Sequence, residues 1–252
     1  MRKLFSVACC VLFFALTGCV STGKDIALNA DATAASGWGV GEKVAEGTND
    51  CFLVEGWGTC AMYRQFLGVT QDGGYLVQDF YEQDNVKMTN PYILLQKEEV
   101  TTPDFAAFEL HIDGLYTKWH SNGHKWYEGV YKDGRMSGVW TLRHGNGQKA
   151  GQGNMEGPNE QGQWKYWHEN GRRSAQGEFV NGNQVGLWRQ WYDNGQKKSE
   201  ATFVDGKLDG LWTEWYESGV KQAEGLFEMG KPVGVWREWD MAGELLREEN
   251  RD

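Results

Sequence analysis

The chain has 252 residues, with 34 glycines and 13 tryptophans but 4 prolines, a composition that favours short strands joined by glycine turns. This many aromatic residues argues against disorder in the bulk of the chain. The formal net charge of -10 argues against binding to nucleic acid or docking on anionic lipid, because both attract clustered lysine and arginine.

The N-terminus has the form of a secretory signal. Arg2 and Lys3 precede an apolar run over 4–15, which is too short to span a bilayer because a spanning helix takes about 20 residues. The next four residues, Leu16-Thr17-Gly18-Cys19, resemble the bacterial lipobox. This resemblance implies a signal peptide over 1–18, cleavage before Cys19 and lipidation of Cys19, which anchors the chain stably in a membrane. An ordinary signal peptide that happens to contain a cysteine is the alternative.

The lipobox resemblance also implies a location. We expect the protein in a bacterial cell envelope, and Val20 in place of an aspartate favours the outer membrane if the envelope is Gram-negative. Residues 19–36 are rich in Ala, Thr, Ser, Asp and Asn and have no hydrophobic period, which predicts a flexible tether.

Residues 37–112 lack the period found later in the chain and are predicted to form a β-rich N-terminal cap, which would cover one edge of the array that follows. Four runs look like strands: 51–57, 75–81, 92–96 and 105–112.

Cys51 and Cys60 are the two cysteines left after export and lipidation. They are symmetric about Glu55-Gly56, and a two-residue turn there would place them opposite each other, which predicts a disulfide in an oxidising compartment. Two reduced, buried thiols are the alternative. Metal binding is not expected, because two cysteines without a nearby histidine cannot complete a zinc site.

A 24-residue repeat organises the chain from residue 113 to residue 250. One aromatic series keeps this spacing: Tyr116, Trp140, Trp164, Trp188, Trp212 and Trp236. A second keeps it with Arg143 in its one gap: Trp119, Trp167, Trp191, Trp215 and Trp239. Asn-Gly dipeptides share the period, as at Asn170-Gly171, and are strong signals for a two-residue type I′ hairpin turn.

Such turns fix which residues face each other across each hairpin. Trp164 then faces Gly177, and Phe179 faces Gly162, so each aromatic ring is expected to cover a glycine of its partner strand. Return turns are expected at dipeptides such as Asn181-Gly182. The sequence therefore predicts an all-β fold: an elongated antiparallel meander or solenoid of stacked 24-residue β-hairpins, with about twelve strands after the N-terminal cap.

The second tryptophan series is the candidate binding strip. Strict alternation along each strand puts Trp119, Trp167, Trp191, Trp215 and Trp239 on the face opposite the core, where exposed rings would mark an interaction site. Curling or a bulge would instead turn the rings inward as a second core row. We favour this alternative at the sequence level, because few soluble arrays expose five tryptophans.

Three histidines share one repeat position: His120, His144 and His168. A shared metal ion is not expected, because equivalent residues of successive hairpins lie roughly 9.5 Å apart at a strand spacing of about 4.8 Å. Neither a metal site nor a cofactor is therefore predicted. Catalysis is not expected either, since there is no Asp/Glu pair in a defined setting, no recognisable catalytic triad and no phosphate-binding glycine loop.

The order Gly-x-Trp-x-x-Trp-Tyr, Asn-Gly and Gly-x-Phe-x-Asp-Gly, clearest over 210–230, resembles the MORN repeat variant. The resemblance implies membrane recruitment and protein interaction, or an antitoxin role, and carries no catalytic residues. We therefore expect a lipid-anchored, non-catalytic scaffold for an unidentified protein partner. An antitoxin or immunity protein that neutralises a toxin is the alternative, and an envelope enzyme acting on glycan is disfavoured.

Overall fold

A computed structural model describes residues 26–53, 56–102 and 110–251. These residues form one open antiparallel sheet of 16 strands, in which each strand pairs with its neighbours in the sequence. The predicted all-β meander is confirmed. The predicted signal peptide and Cys19 lie outside the described residues. No described helix has the length and apolar character needed to cross a membrane.

The first part of the sheet contains four strands and one short helix. These elements are α1 (Ala30–Ala35), β1 (Lys43–Leu53), β2 (Gly56–Val69), β3 (Tyr75–Tyr81) and β4 (Tyr92–Leu94), with 3-10 turns at Gln83–Asn85 and Lys97–Thr101. The remaining twelve strands form six hairpins: β5 (Ile112–Trp119), β6 (Lys125–Lys132), β7 (Arg135–Arg143), β8 (Lys149–Glu156), β9 (Asn159–Trp167), β10 (Arg173–Val180), β11 (Asn183–Trp191), β12 (Lys197–Val204), β13 (Lys207–Trp215), β14 (Lys221–Glu228), β15 (Lys231–Trp239) and β16 (Leu245–Asn250).

The described part of the predicted tether is folded. The Asn29 side chain caps α1 by accepting a hydrogen bond from the backbone N–H of Ala32. The Thr33 hydroxyl then accepts one from the backbone N–H of Val69, at 2.8 Å, which docks the helix on the end of β2. Periodicity could not reveal this helix because its six residues are too few for a hydrophobic stripe.

The cysteine hairpin has a different register from the one predicted. Leu53 pairs with Gly56, so Cys51 lies opposite Gly58 and Cys60 lies opposite Asn49. The predicted turn at Glu55-Gly56 is therefore displaced by one residue, and the two cysteines occupy diagonal rather than facing positions. The side chain of Cys51 lies outside the described part of the structure, and the disulfide stays a prediction.

The predicted pairing within the repeat hairpins is confirmed. Trp164 faces Gly177 and Phe179 faces Gly162 in the third hairpin. The terminal hairpin also follows the predicted register, because Trp236 faces Glu249 where the other hairpins place a small residue.

The Asn-Gly tips, however, are not type I′ turns. Gly171 has a positive φ of 80°, but Asn170 does not, and the hairpin closes through the backbone bond from His168 N–H to the carbonyl of Arg172. Three residues thus form the tip, as in a type I turn followed by a G1 bulge. The predicted register survives because a bulge between Arg173 and Ala175 restores the one-residue offset.

The type I′ geometry is found in the return turns instead. Val180 pairs with Asn183 across the two-residue loop Asn181-Gly182, where φ is 50° and 79°. The same two-residue loop with two positive φ values occurs at Asp133-Gly134, Asp205-Gly206 and Met229-Gly230. These turns set the tight spacing between successive hairpins.

Candidate functional site

The sheet has two chemically distinct faces. The core face carries the first aromatic series, with Trp164, Phe179 and Trp188 packed into one buried cluster. We call the opposite face the ladder face, because its side chains form parallel rows that cross the strands.

Four of the five core tryptophans cover a glycine of the preceding hairpin rather than of their own: Trp140, Trp164, Trp188 and Trp236. A Cβ added to Gly177 would lie 2.1 Å from Cδ2 of Trp188, and one added to Gly153 would lie 2.3 Å from Cδ2 of Trp164. The Trp188 indole N–H also donates to the carbonyl of Glu178, at 3.2 Å. The expectation that Trp164 covers Gly177 is therefore wrong, although the two residues face each other in register.

A large β-bulge explains why these tryptophans pack on the preceding hairpin. Between the pairs Gln176–Arg189 and Glu178–Val185, β11 contains two more residues than β10, and Gly186 in the bulge has a φ of 63°. The bulge bends β11 and directs Trp188 back over β10. The repeated Gly-x-Trp motif therefore packs one hairpin against the previous one.

Polar side chains at the hairpin tips tie each repeat to the next. Nε2 of His144 and of His168 lies 2.8 Å from the carbonyls of Trp167 and Trp191, and the Tyr192 hydroxyl donates to the carbonyl of Trp215. The shared histidine position is thus a structural link between hairpins. Among the described residues, no group of three or more His, Cys, Asp or Glu side chains is placed to hold a metal ion.

The second tryptophan series lies on the ladder face, as alternation predicts, with its rings half-buried: Trp119, Trp167, Trp191, Trp215 and Trp239. Lysines of the preceding hairpin lie over several of these rings. Nζ of Lys149 is 5.0 Å from the ring centroid of Trp167, and Nζ of Lys197 is 4.8 Å from that of Trp215. The rings therefore form neither an exposed strip nor a closed second core, but an aromatic row beneath lysine side chains.

A charged row runs beside these tryptophans. Glu200 accepts hydrogen bonds from Lys197 at 2.9 Å and from Arg189 at 3.0 Å. The Lys197 hydrogen bond, with the further contribution of Arg189, lowers the pKa of the Glu200 carboxyl below its usual value. Opposite charges neutralise each other in these ion pairs, so the row does not form a patch of a single sign.

An aliphatic row, missed by the sequence analysis, completes the ladder face. Its side chains are between 42% and 58% exposed: Leu115, Val130, Val139, Leu187, Leu211, Leu226 and Val235. Five of them fill the middle position of the Gly-x-Trp or Gly-x-Tyr motif, where the third hairpin has Gln163. The residue beside an inward-pointing tryptophan must point outward, so this repeated apolar character was a readable signal.

Comparison with known families identifies the repeat. The model of the MORN repeat variant matches residues 112–133, 184–205 and 208–229, which correspond to strands of the first, fourth and fifth hairpins. Three hairpins of the chain therefore match the MORN repeat variant, and such repeats indicate a repeat-based role in protein interaction. No curated protein matches the chain.

Proposed function

We propose that the protein is a lipid-anchored, non-catalytic scaffold of the bacterial cell envelope, and that its ladder face binds a protein partner. Cys19 is the proposed lipidation site, and the hairpin array supplies the binding surface. The lipobox resemblance at the N-terminus supports the anchor, and the chemistry of one face of the sheet supports the binding role.

The observation that carries the binding role is the longer part of the aliphatic row, formed by Leu187, Leu211, Leu226 and Val235, which lies beyond the polar gap at Asn154, Gln163 and Glu178. Soluble proteins rarely expose large contiguous apolar patches without using them. Burying one Leu or Val side chain completely contributes about 1.5–3 kcal/mol, so several half-exposed ones can offset a large share of the entropy lost on association. The half-buried tryptophans and paired charges on the same face would surround this row with aromatic and polar contacts.

Site-specific photo-crosslinking in intact cells tests the proposal. A photoreactive amino acid at Leu187 or Leu211 is expected to give a discrete crosslinked protein, because both side chains point outward in the aliphatic row. Met241 is the matched control, since it is apolar and 74% exposed but lies in the turn of the last hairpin, outside the row. Equal crosslinking from Met241 and the row, or none from the row, would contradict the assigned surface.

In the same experiment, Cys19→Ala tests the proposed membrane anchor. Without the thioether-linked lipid, the chain is expected to leave the membrane fraction and to lose palmitate labelling, and crosslinking at Leu211 should fall because the partner is no longer nearby. Retained labelling would count against lipidation at Cys19, whatever the crosslinks show.

A further inference from the structure

A groove on the core face, opposite the surface of the proposed function, lies at the last two hairpins. It has a cavity volume of about 380 Å³, and its walls include Trp212, Glu214, Ala223, Trp236, Glu238 and Arg251. The rings of Trp212 and Trp236 stack with their centroids 5.6 Å apart. Aromatic rings and two carboxylates therefore line one depression.

The two carboxylates belong to a row of side chains whose residue type changes from hairpin to hairpin. In register, Leu142 and Tyr166 occupy this row in earlier hairpins, facing Gly151, whereas Glu214 and Glu238 occupy it here, facing Ala223. The facing residue is small from the second hairpin to the fifth, at Gly151, Ala175, Ser199 and Ala223, whereas Tyr127 and Arg247 hold the position in the first and last hairpins. Leu142 and Tyr166 pack against the buried cluster of the earlier hairpins, whereas Glu214 and Glu238 place carboxylates in the same row.

Glu214 and Glu238 are half-buried on either side of Ala223. No ion pair in the described part of the chain includes either carboxylate. Arg247 faces Glu238 in register but pairs with Glu249. Two partly desolvated negative charges thus remain available to a cation from outside.

The molecule itself shows which cation suits the groove. The guanidinium carbon of Arg251 lies 4.5 Å from the ring centroid of Trp236, and the backbone N–H of Arg251 donates to the carbonyl of Gly234. A guanidinium group therefore already stacks on one aromatic wall and forms an ion pair with Glu249. Glu214, Ala223 and Glu238 line the same groove.

We propose that this groove binds an arginine side chain of a partner peptide, with the guanidinium between Glu214 and Glu238 and against the half-buried ring of Trp212, because Trp236 is already covered by Arg251. The two glutamates stand two strands apart, or roughly 9.6 Å at a strand spacing of about 4.8 Å. A planar guanidinium with five donors can reach carboxylates on both sides through bonds of about 2.8 Å, and its face stacks on indole. A lysine ammonium is compact and cannot do both as well.

Fluorescence anisotropy with the full chain in detergent tests this assignment. The probe is a labelled nonapeptide with arginine at its centre, compared with the same peptide carrying citrulline, a neutral isostere, or lysine. We expect the citrulline peptide to bind at least about tenfold more weakly, because charge-assisted hydrogen bonds are lost. The lysine peptide should also be weaker than the arginine peptide.

Matched variants locate the site. Glu214→Gln combined with Glu238→Gln should weaken arginine-peptide binding at least about tenfold without lowering the melting temperature. Glu178→Gln combined with Glu228→Gln removes the same charge from the ladder face and should change affinity less than about twofold. Equal losses in both pairs would show a general acidic surface and overturn the assignment, as would absent binding or equal binding of the citrulline or lysine peptide.

Discussion

At the scale of single residues, contact between tryptophan and glycine decides how closely hairpins approach. Trp140, Trp164, Trp188 and Trp236 are at most 7% exposed, and each covers a glycine of the preceding hairpin. Trp212 faces Ala201 on its preceding strand and is only half-buried. The tryptophan that has alanine instead of glycine on its preceding strand is thus also the one whose indole is incompletely buried.

Gly177→Ala should therefore destabilise the array. The new Cβ would meet the Trp188 ring at 2.1 Å, and overpacking of this kind costs about 1–3 kcal/mol. Ala201→Gly is the matched control, because it makes the reverse change at the equivalent position and should alter stability by less than about 1 kcal/mol. Urea unfolding followed by tryptophan fluorescence measures both. If Gly177→Ala proves neutral, the ring does not constrain this position.

At the scale of elements, one dipeptide serves two turns through different interactions. At the hairpin tip, Oδ1 of Asn170 accepts from the backbone N–H of Arg172, and its Nδ2 donates to the carbonyl of Asp193 in the next hairpin, at 2.7 Å. In the return turn, Asn181 supplies a positive φ, and Asp133 and Asp205 do the same in other repeats. At the tip, asparagine acts through its amide donor, whereas in the return turn it acts through its left-handed backbone.

An Asn→Asp substitution separates these roles. Asn170→Asp replaces the donor to the Asp193 carbonyl with an acceptor, so we expect a loss of about 1 kcal/mol in the free energy of unfolding. Asn181→Asp keeps the turn conformation that aspartate already adopts elsewhere, and should cost less than about 0.5 kcal/mol. Thermal melting of the two variants beside the parent chain makes the comparison. Equal shifts would mean that the link between hairpins contributes nothing to stability.

The same elements show how far the sequence could predict the structure. Register followed from centring each hairpin on its Asn-Gly dipeptide, as at Asn170-Gly171, and it put Trp164 opposite Gly177 as the structure does. An error of one residue would have moved the whole apolar set to the wrong face. The geometry of the tip could not be predicted from the sequence. The three-residue loop shifts the pairing by one residue, and the adjacent bulge shifts it back, so both kinds of tip give the same register. The Glu214–Glu238 groove was also beyond prediction, because it depends on residues that break the repeat rather than on those that keep it.

At the scale of the whole molecule, the sheet is continuous but its interior is divided. One buried cluster joins the first strands to the first two hairpins, from Phe66 to Trp140, and a second cluster contains Trp164 and Trp188, with only the partly buried Met155 among the described residues packed against both. Within the first region, Arg64 and Asp79 form a fully buried ion pair at 2.7 Å, and the Tyr92 hydroxyl donates to the same carboxylate. Burial raises the pKa of Tyr92 well above its usual value, so this hydroxyl keeps its proton.

Asp79→Ala should unfold the first region before the rest of the array. It leaves the Arg64 guanidinium buried without its carboxylate, which costs about 3–5 kcal/mol. Because repeats depend mainly on their neighbours, hydrogen exchange should accelerate in β2–β5 while β10–β14 keep their protection. Glu200→Ala is the control, since it breaks a partly exposed pair with Arg189 and should cost less than about 1 kcal/mol. Uniform acceleration along the chain would show that all sixteen strands unfold as one cooperative unit, and would contradict the division of the interior.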